Sequence, residues 1–181
     1  MNKDGIMQFV GFVTLLGLDE FTGQWEHYVK DFKAVPGGMV LQQETGAKSR
    51  YKYISQHEYR EQDFSPEFVR GKTTEHFPER KIKVEQAGGY SPLQIECREY
   101  NESVDVKAIA FIGHRETGLE FYRELNYHYL NIYQAYYESC SFGHVLEFFV
   151  PEAEAAELLR ELKTRPAVEA ALYKECFVSQ A

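Results

Sequence analysis

The sequence predicts an α+β protein in which two ferredoxin-like βαββαβ units pack sheet to sheet into one intramolecular α+β barrel. The first half of the chain reads strand, helix, strand, strand, helix, strand, and the second half repeats that order. One such unit is an antiparallel sheet with both helices on one face. A second sheet packed against the open face buries the sheet face that the first unit leaves exposed. The 181 residues suffice for both units around a shared core.

In the first half, apolar and alternating segments predict the strands Gln8–Leu16, Met39–Thr45, Arg50–Tyr59 and Lys81–Gln86. A helix follows Asp19, because one helical face collects Phe21, Trp25, Tyr28, Val29 and Phe32. Proline and glycine at Pro36-Gly37-Gly38 end this helix. Gly46–Ser49 is typical of a hairpin turn, Ser65 before Pro66 of a short helix start, and Gly88-Gly89 of a break.

In the second half, Val106–Ile112 is a predicted buried strand. Helical spacing then relates Leu119, Tyr122, Leu125, Tyr129 and Ile132. Two further strands are expected at Tyr136–Cys140 and His144–Val150. Pro151 opens a helix with an apolar face of Leu158, Leu159 and Leu162, and its acidic start and basic end suit the helix dipole. After Thr164-Arg165-Pro166 we expect a short helix and a final strand, Tyr173–Gln180.

The boundary between the two units is expected in the polar stretch Arg98–Asp105, which reads REYNESVD. The first unit then comprises residues 1–100 and the second residues 101–181. Because one chain supplies both units, a monomer suffices, although exposed edge strands could join two chains as a weak homodimer.

Composition excludes several classes of partner. With 20 basic and 28 acidic residues the formal net charge is −8, which argues against binding to nucleic acid. The apolar run near the N-terminus is interrupted by Gln8, Gly11, Thr14 and Gly17, and no segment reaches the roughly 20 apolar residues of a membrane span. Three cysteines without a CxxC pair favour neither a disulfide framework nor a zinc knuckle. We therefore expect a cytoplasmic protein without membrane partners.

The first half resembles the antibiotic biosynthesis monooxygenase (ABM) family of the dimeric α+β barrel superfamily. The residues that carry the resemblance are QFVGFVTLL, the helix with Trp25 and Tyr28, Pro36-Gly37-Gly38-Met39, RYKYISQHEY, Phe64 and Phe68. In the family strand motif R-Y-x-x-x-x-x-W-x-S, His57 replaces the tryptophan and Tyr59 the serine. The second half matches by element order and by AELLRELKTRPAVEAAL.

This resemblance implies a barrel whose sheets enclose an apolar ligand cavity. Related members include cofactor-free oxygenases that act on aromatic polyketides or quinols, and also haem-degrading enzymes. Single-unit relatives pair two chains to complete the barrel. The fold alone does not indicate which of these activities a member has.

The first candidate site is a row on one face of the third strand, formed by Tyr51, Tyr53, Ser55 and His57. The ABM comparison places this strand beside the cavity. His57 could act as a general base on an acidic phenol, with Tyr53 positioning the ligand. The alternative is that the tyrosines fill the core and that His57 lies half solvated at the strand end.

The second candidate is Glu147 in the apolar strand HVLEFFV, with Phe149 two residues further along the same strand. An ionised carboxylate in such a strand is costly unless it is paired. Glu147 could serve as a base or bind a ligand proton from the sheet opposite His57, and Phe149 could contact the ligand. Alternatively, Glu147 lies at an edge open to water or forms a salt bridge to a lysine.

Other motifs give no support for a metal or a bound cofactor. The six histidines show no HxH, HxxxH or HExxH pairing, and neither GxxxxGK nor GxGxxG occurs. We predict no metal and no cofactor, although any single histidine could ligate a haem. The segment LNYHYLNIYQAYY, with five tyrosines and His128, suits ligand pockets and interfaces, but core packing plus a tyrosine-rich surface is the favoured interpretation.

Two functions remain open at this point. In the first, the barrel binds a small apolar or aromatic molecule, and an enzyme of this kind would be a cofactor-independent monooxygenase or isomerase. In the second, the protein is a non-catalytic binding or assembly module whose interior is filled by its own side chains. A closed interior with Tyr51, Tyr53 and Phe149 in mutual contact favours the second, and an open pocket at His57 and Glu147 favours the first.

Overall fold

The computed structural model describes the residues 6–15, 39–44, 51, 53–60, 76–77, 82–99, 105–114, 118–138, 140, 142–165 and 168–178. In the first half of the chain most of these are described by their backbone only. The predicted helix with Trp25, the hairpin turn Gly46–Ser49 and the helix opened by Ser65 lie outside the described residues.

Strands and helices together make the protein an α+β protein, as predicted. The described residues form one α-helix, α1 (Glu152–Leu162), and one 3-10 helix, Glu120–Glu124. The strands are β1 (Ile6–Leu15), β2 (Met39–Gln43), β3 (Tyr53–Arg60), β4 (His76–Phe77), β5 (Ile82–Cys97), β6 (Asp105–Ile112), β7 (Tyr129–Ala135), β8 (His144–Pro151) and β9 (Val168–Val178).

All pairings among the described strands are antiparallel, and the order of these strands is β1-β3-β2-β9-β6-β8-β7-β5-β4. An additional pairing of β1 with β5 returns the order to its start, so that eight strands form a ring. The sequence predicted two separate sheets face to face. Instead, the pairings β2–β9 and β5–β7 join the strands of the two halves by hydrogen bonds.

The strands of the second half bury both of their faces. Along β6, Ala108, Ala110 and Ile112 belong to an outer cluster that includes Leu158 and Leu162 of α1. The alternate residues of β6 belong to an inner cluster, which comprises Leu41, Tyr51, Ile54, Tyr90, Ile109, Phe111, Tyr133, Cys140, Phe142, Val145, Ala171 and Tyr173. Because the inner cluster draws residues from strands all around the ring, it lies inside the ring.

Helix α1 confirms the prediction from sequence most closely. It begins directly after Pro151, carries Glu152 and Glu154 in its first turn and has Arg160 in its last. Leu158 and Leu162 are almost completely buried, and this amphipathic face attaches the helix to the outer side of the ring.

The helix predicted over Leu119 to Ile132 is wrong. A short 3-10 helix spans Glu120–Glu124, after which the chain is extended and forms β7. Leu130 and Ile132 are both buried in the outer cluster with the period of two of a strand. Tyr129 and Ile132, which the helical spacing placed on one face, therefore lie on opposite faces of β7. Pairing with β5 and β8 decided between helix and strand. The strand predicted at Tyr136–Cys140 is wrong as well, since residues 136–138 form bends and a turn.

The break predicted at Gly88-Gly89 is also wrong, because both glycines lie inside β5, which is 16 residues long. A Cβ atom on Gly88 would lie 2.9 Å from the ring of Tyr90 and 3.1 Å from Sγ of Cys140. The glycine therefore allows close packing inside the ring rather than a turn.

The final strand starts earlier than predicted. β9 begins at Val168 instead of Tyr173, in the place of the expected short helix. Its first residues pair with β6, from Val168 opposite Ile112 to Ala171 opposite Ile109. Alanine favours a helix when isolated, and here the pairing with a buried strand outweighs that preference.

Candidate functional site

A small group of polar side chains is buried in the interior. Among the described residues, the buried polar or charged ones are Gln43, Gln56, Lys107 and Glu147. Lys107 and Glu147 are only 8% and 4% exposed. Two opposite charges inside an apolar core are unusual, which makes this pair the centre of the candidate site.

Strand register brings Lys107 and Glu147 together. β6 and β8 are neighbours, with Lys107 opposite Phe149 and Ile109 opposite Glu147. Lys107 therefore lies diagonally across from Glu147, within reach of a long side chain. The next residues on the same inner faces, Ile109 on β6 and Val145 on β8, are apolar members of the inner cluster.

Every charge in the pair is compensated. Nζ of Lys107 lies 3.1 Å from Oε1 of Glu147 and 3.3 Å from Oε1 of Glu175. Oε2 of Glu147 accepts hydrogen bonds from Nδ2 of Asn131 at 2.8 Å and from the hydroxyl of Tyr133 at 3.4 Å. These partners offset the cost of removing two charges from water. They also fix the orientation of the Glu147 carboxylate.

A cleft of about 350 Å³ opens beside Lys107. Its volume lies in the range of roughly 300–1,000 Å³ that is typical of small-molecule sites. Charged and aromatic side chains share its walls, which are formed by Glu44, Asp105, Val106, Lys107, Phe149, Tyr173, Lys174 and Glu175. The buried ion pair is thus in contact with a ligand-sized space through Lys107.

Aromatic rings adjoin the ion pair. The ring centre of Phe149 lies 5.2 Å from Nζ of Lys107 and 5.5 Å from the ring centre of Tyr129, which it meets edge to face. Burial, and then the negative charge of Glu147, raises the pKa of the Tyr129 phenol. The phenol is therefore kept neutral, and the site combines an ammonium, a carboxylate and flat apolar surfaces.

Another part of the interior is filled by aromatic side chains. The ring of Tyr51 packs edge to face against Phe111 at 5.3 Å and against Phe142 at 6.0 Å. The hydroxyl of Tyr173 donates a hydrogen bond to the backbone carbonyl of Tyr51 at 2.9 Å. Tyr51, a predicted ligand-binding residue, is therefore a core residue in this structure and does not line the cleft.

The other predicted residues have different outcomes. Phe149 lines the cleft, and Glu147 forms the salt bridge to a lysine that the sequence left open as one alternative. The side chains of Tyr53, Ser55 and His57 lie outside the described ones, so their roles stay predictions. Of their strand neighbours, Ile54 and Gln56 are buried.

Sequence reasoning missed several residues of the site, above all Lys107. A signal for Lys107 was present in the sequence, because Lys107 is the charged residue of the otherwise apolar strand VKAIAFI. Glu147 stands out in the strand HVLEFFV in the same way. Asn131 and Tyr133 were hidden by the wrong helix assignment, because only a strand turns both toward Glu147.

The described residues contain neither a metal-binding cluster nor a membrane-spanning helix. No group of three or more His, Cys, Asp or Glu side chains in this part of the chain is arranged to hold a metal ion. Within the same residues, no helix is long and apolar enough to cross a membrane. Cys97 is exposed and Cys140 is buried, and both are free thiols.

Comparison with known proteins gives a likeness in fold. No family model and no curated protein matches the chain. A solved structure of an anthrone oxidase-like protein matches with a TM-score of 0.61 and 10% identity, covering 97% of this chain and 93% of that one. A protein of Fusobacterium nucleatum subsp. nucleatum ATCC 25586, described as a "putative monooxygenase", matches with a TM-score of 0.46 and 12% identity, covering 99% and 96%. The chain therefore shares the fold of the anthrone oxidase-like protein.

Proposed function

We propose that the protein binds a small aromatic molecule in the cleft and transfers a proton to or from it at the Lys107–Glu147 pair. One observation carries this proposal: Lys107 lines a ligand-sized cleft and forms an ion pair with Glu147, which is buried directly behind it among apolar residues. Replacing a buried ion pair by apolar residues is often neutral or stabilising. The buried ion pair is therefore not explained by stability alone. It is explained by a reaction in which charge develops on the ligand, because the pair can stabilise that charge.

We also propose that the architecture is a tandem of two ferredoxin-like units, residues 1–100 and 101–181, that close one barrel. The strand order supports this division. The strands of the first half lie in the order β5-β1-β3-β2 and those of the second half in the order β9-β6-β8-β7. Apart from the two-residue strand β4, both halves place their last strand beside their first, followed by their third and their second.

The reaction class follows from the charges of the site. A carboxylate can take a proton from an acidic C–H or O–H group of the ligand, and an adjacent ammonium stabilises the anion that forms. Return of the proton at another atom is isomerisation, and reaction of the anion with dioxygen as co-substrate is oxygenation. Both begin with the same proton transfer, in which Glu147 is the base and Lys107 stabilises the anion.

Anthrone is a suitable probe, because it is an aromatic ketone with an acidic CH2 group and because the fold is shared with an anthrone oxidase-like protein. We expect wild-type protein to bind anthrone, measured by calorimetry, and to accelerate exchange of its CH2 protons in D2O, measured by NMR. Glu147→Gln keeps an acceptor for Asn131 and Tyr133 but removes the base, and should slow the exchange by about 100-fold or more.

Three further variants complete the experiment. Glu138→Gln is a matched control, because Glu138 is exposed in the turn after β7 and should leave exchange unchanged. Lys107→Met should weaken binding of the anionic form. His57→Gln tests the base predicted from the strand motif. Wild-type protein that neither binds anthrone nor accelerates the exchange would refute the proposal.

The second candidate function, a non-catalytic module with a filled interior, is favoured by the packing of Tyr51 against Phe111 and Phe142. Under this alternative, no aromatic probe shifts the NMR signals of Lys107 or Phe149. One titration with an aromatic probe therefore distinguishes the two functions.

A further inference from the structure

A histidine–carboxylate pair lies near the ion pair, between the starts of β6 and β7. Nδ1 of His128 lies 2.9 Å from Oδ1 and 3.1 Å from Oδ2 of Asp105. The side chain of Asp105 is completely buried, whereas that of His128 is 23% exposed. Neither residue takes part in the Lys107–Glu147 pair.

The backbone around His128 is held on both sides. Its N–H donates a hydrogen bond to the carbonyl of Phe149 at 2.9 Å. Its carbonyl accepts hydrogen bonds from the N–H groups of Arg98 at 2.7 Å and Glu99 at 3.0 Å. With the backbone fixed and one ring nitrogen held by Asp105, the imidazole has a defined orientation.

This arrangement determines which ring nitrogen is available. A carboxylate is an acceptor, so the nitrogen that faces it, Nδ1, carries the proton, and in the neutral ring Nε2 holds the lone pair. Asp105 is buried and covers the Nδ1 edge of the ring. Because Asp105 holds Nδ1, Nε2 is the ring nitrogen through which His128 could contact a ligand.

His128 lies at the same end of the ring of strands as the cleft. Asp105 is a wall residue of the cleft and precedes Lys107 by two residues on β6. His128 directly precedes Tyr129, which pairs with Phe149, another wall residue, and Phe149 in turn pairs with Lys107. Both pairs thus adjoin Phe149, through Lys107 on β6 and through His128 at the start of β7.

We propose that His128, positioned by Asp105, is a second proton-transfer group of the cleft and binds the ligand oxygen through Nε2. This inference rests on the proposed function. In keto–enol conversion of a ligand, the C–H bond breaks as its proton passes to the Glu147 carboxylate. The O–H bond forms with the proton of the His128 imidazolium, and solvent restores both groups without any change in oxidation state. Lys107 offsets the negative charge between the two events.

The contact can be tested on the wild-type protein by NMR of the histidine ring nitrogens. The probe is 1-naphthol, which has an aromatic body and one acidic hydroxyl. We expect titration with 1-naphthol to shift the Nε2 signal of His128 and the signals of Lys107 and Phe149. The ring of His114, an exposed residue beyond the other end of β6, is the internal control and should not shift.

Variants test the proton transfer itself with anthrone as the probe. We expect His128→Gln and Asp105→Asn to retain anthrone binding within about twofold and to slow enol formation by about 100-fold. His114→Gln is the matched control and should leave the rate unchanged. In Asp105→Asn the amide can face Nδ1 with its NH2 group as donor instead of its oxygen as acceptor, so the tautomer is no longer fixed and the Nδ1 and Nε2 signals of His128 should move without ligand.

Each outcome separates the inference from the function on which it rests. A 1-naphthol shift at Lys107 and Phe149 but none at His128 overturns the role of His128 and leaves the binding function intact. A shift at none of these residues overturns both. A shift at His128 together with unchanged enol formation in His128→Gln refutes the proton transfer by His128.

Discussion

At the residue scale, the most informative feature is a pair of charges placed where apolar side chains would be expected. Lys107 and Glu147 each interrupt a run of buried aliphatic and aromatic residues, and the protein surrounds them with Asn131, Tyr133 and Glu175. Satisfying every lone pair and proton is the condition under which a buried ion pair is tolerated. The polar neighbours therefore belong to the site as much as the charges do.

The energetic consequence can be measured by removing one partner. Lys107→Met leaves the Glu147 carboxylate buried without its cation, so we expect the free energy of unfolding to fall by about 3–5 kcal/mol. The double variant Lys107→Met with Glu147→Gln should recover most of that loss, because no unpaired charge remains. Urea unfolding followed by circular dichroism gives both values.

Lys174→Met is the control for this experiment, because Lys174 is an exposed wall residue of the same cleft. Its free energy of unfolding should stay within about 0.5 kcal/mol of wild type. A double variant as unstable as Lys107→Met alone would contradict the view that the uncompensated charge causes the loss.

At the element scale, β5 shows how packing overrides local sequence signals. Gly88-Gly89 and Ser91-Pro92 are typical of turns, yet β5 continues through them and pairs with β1 by its first part and with β7 by its second. A register shift between Pro92 and Gln94 interrupts the pairing with β7. The long strand therefore connects strands of both halves, as the β2–β9 pairing also does.

Gly88 is the residue on which this strand can be tested. We expect Gly88→Ala to lower the free energy of unfolding by about 1–3 kcal/mol, because the new methyl group would overlap the buried ring of Tyr90 and crowd Cys140. Chemical unfolding measures the change. The matched control is Gly118→Ala, where the nearest atom lies at an ordinary contact distance of 3.6 Å. Equal stabilities of the two variants would show that β5 does not pack as described.

At the scale of the whole molecule, the two halves depend on each other. β2 pairs with β9 and β5 pairs with β7, so strands of each half complete the hydrogen bonding of the other. The inner cluster also contains residues of both halves, among them Leu41 and Ile54 from the first and Phe111 and Tyr173 from the second. Neither half keeps its edges paired or its inner face covered when the other is removed.

Expression of residues 1–100 alone tests this dependence. We expect the fragment to be poorly soluble or to dimerise, because the free edges of β2 and β5 and the inner face of the sheet would be exposed to solvent. Size-exclusion chromatography with light scattering gives its mass, and the full-length chain is the control. A soluble, monomeric and folded fragment would contradict a core shared between the halves.

Sequence by itself determined the α+β class, helix α1 and the approximate places of β1, β2, β3, β6 and β8, because each has a local signal in hydrophobic period or helix capping. It also marked Glu147 and Phe149. Tertiary structure decided the rest. β7 fits either period until its neighbours are known, Gly88 looks like a turn until Tyr90 packs on it, and the partner of Glu147 is 40 positions away on another strand. Contacts between strands distant in the sequence have no local signal, so only the pairing of β6 with β8 could bring Lys107 to the carboxylate.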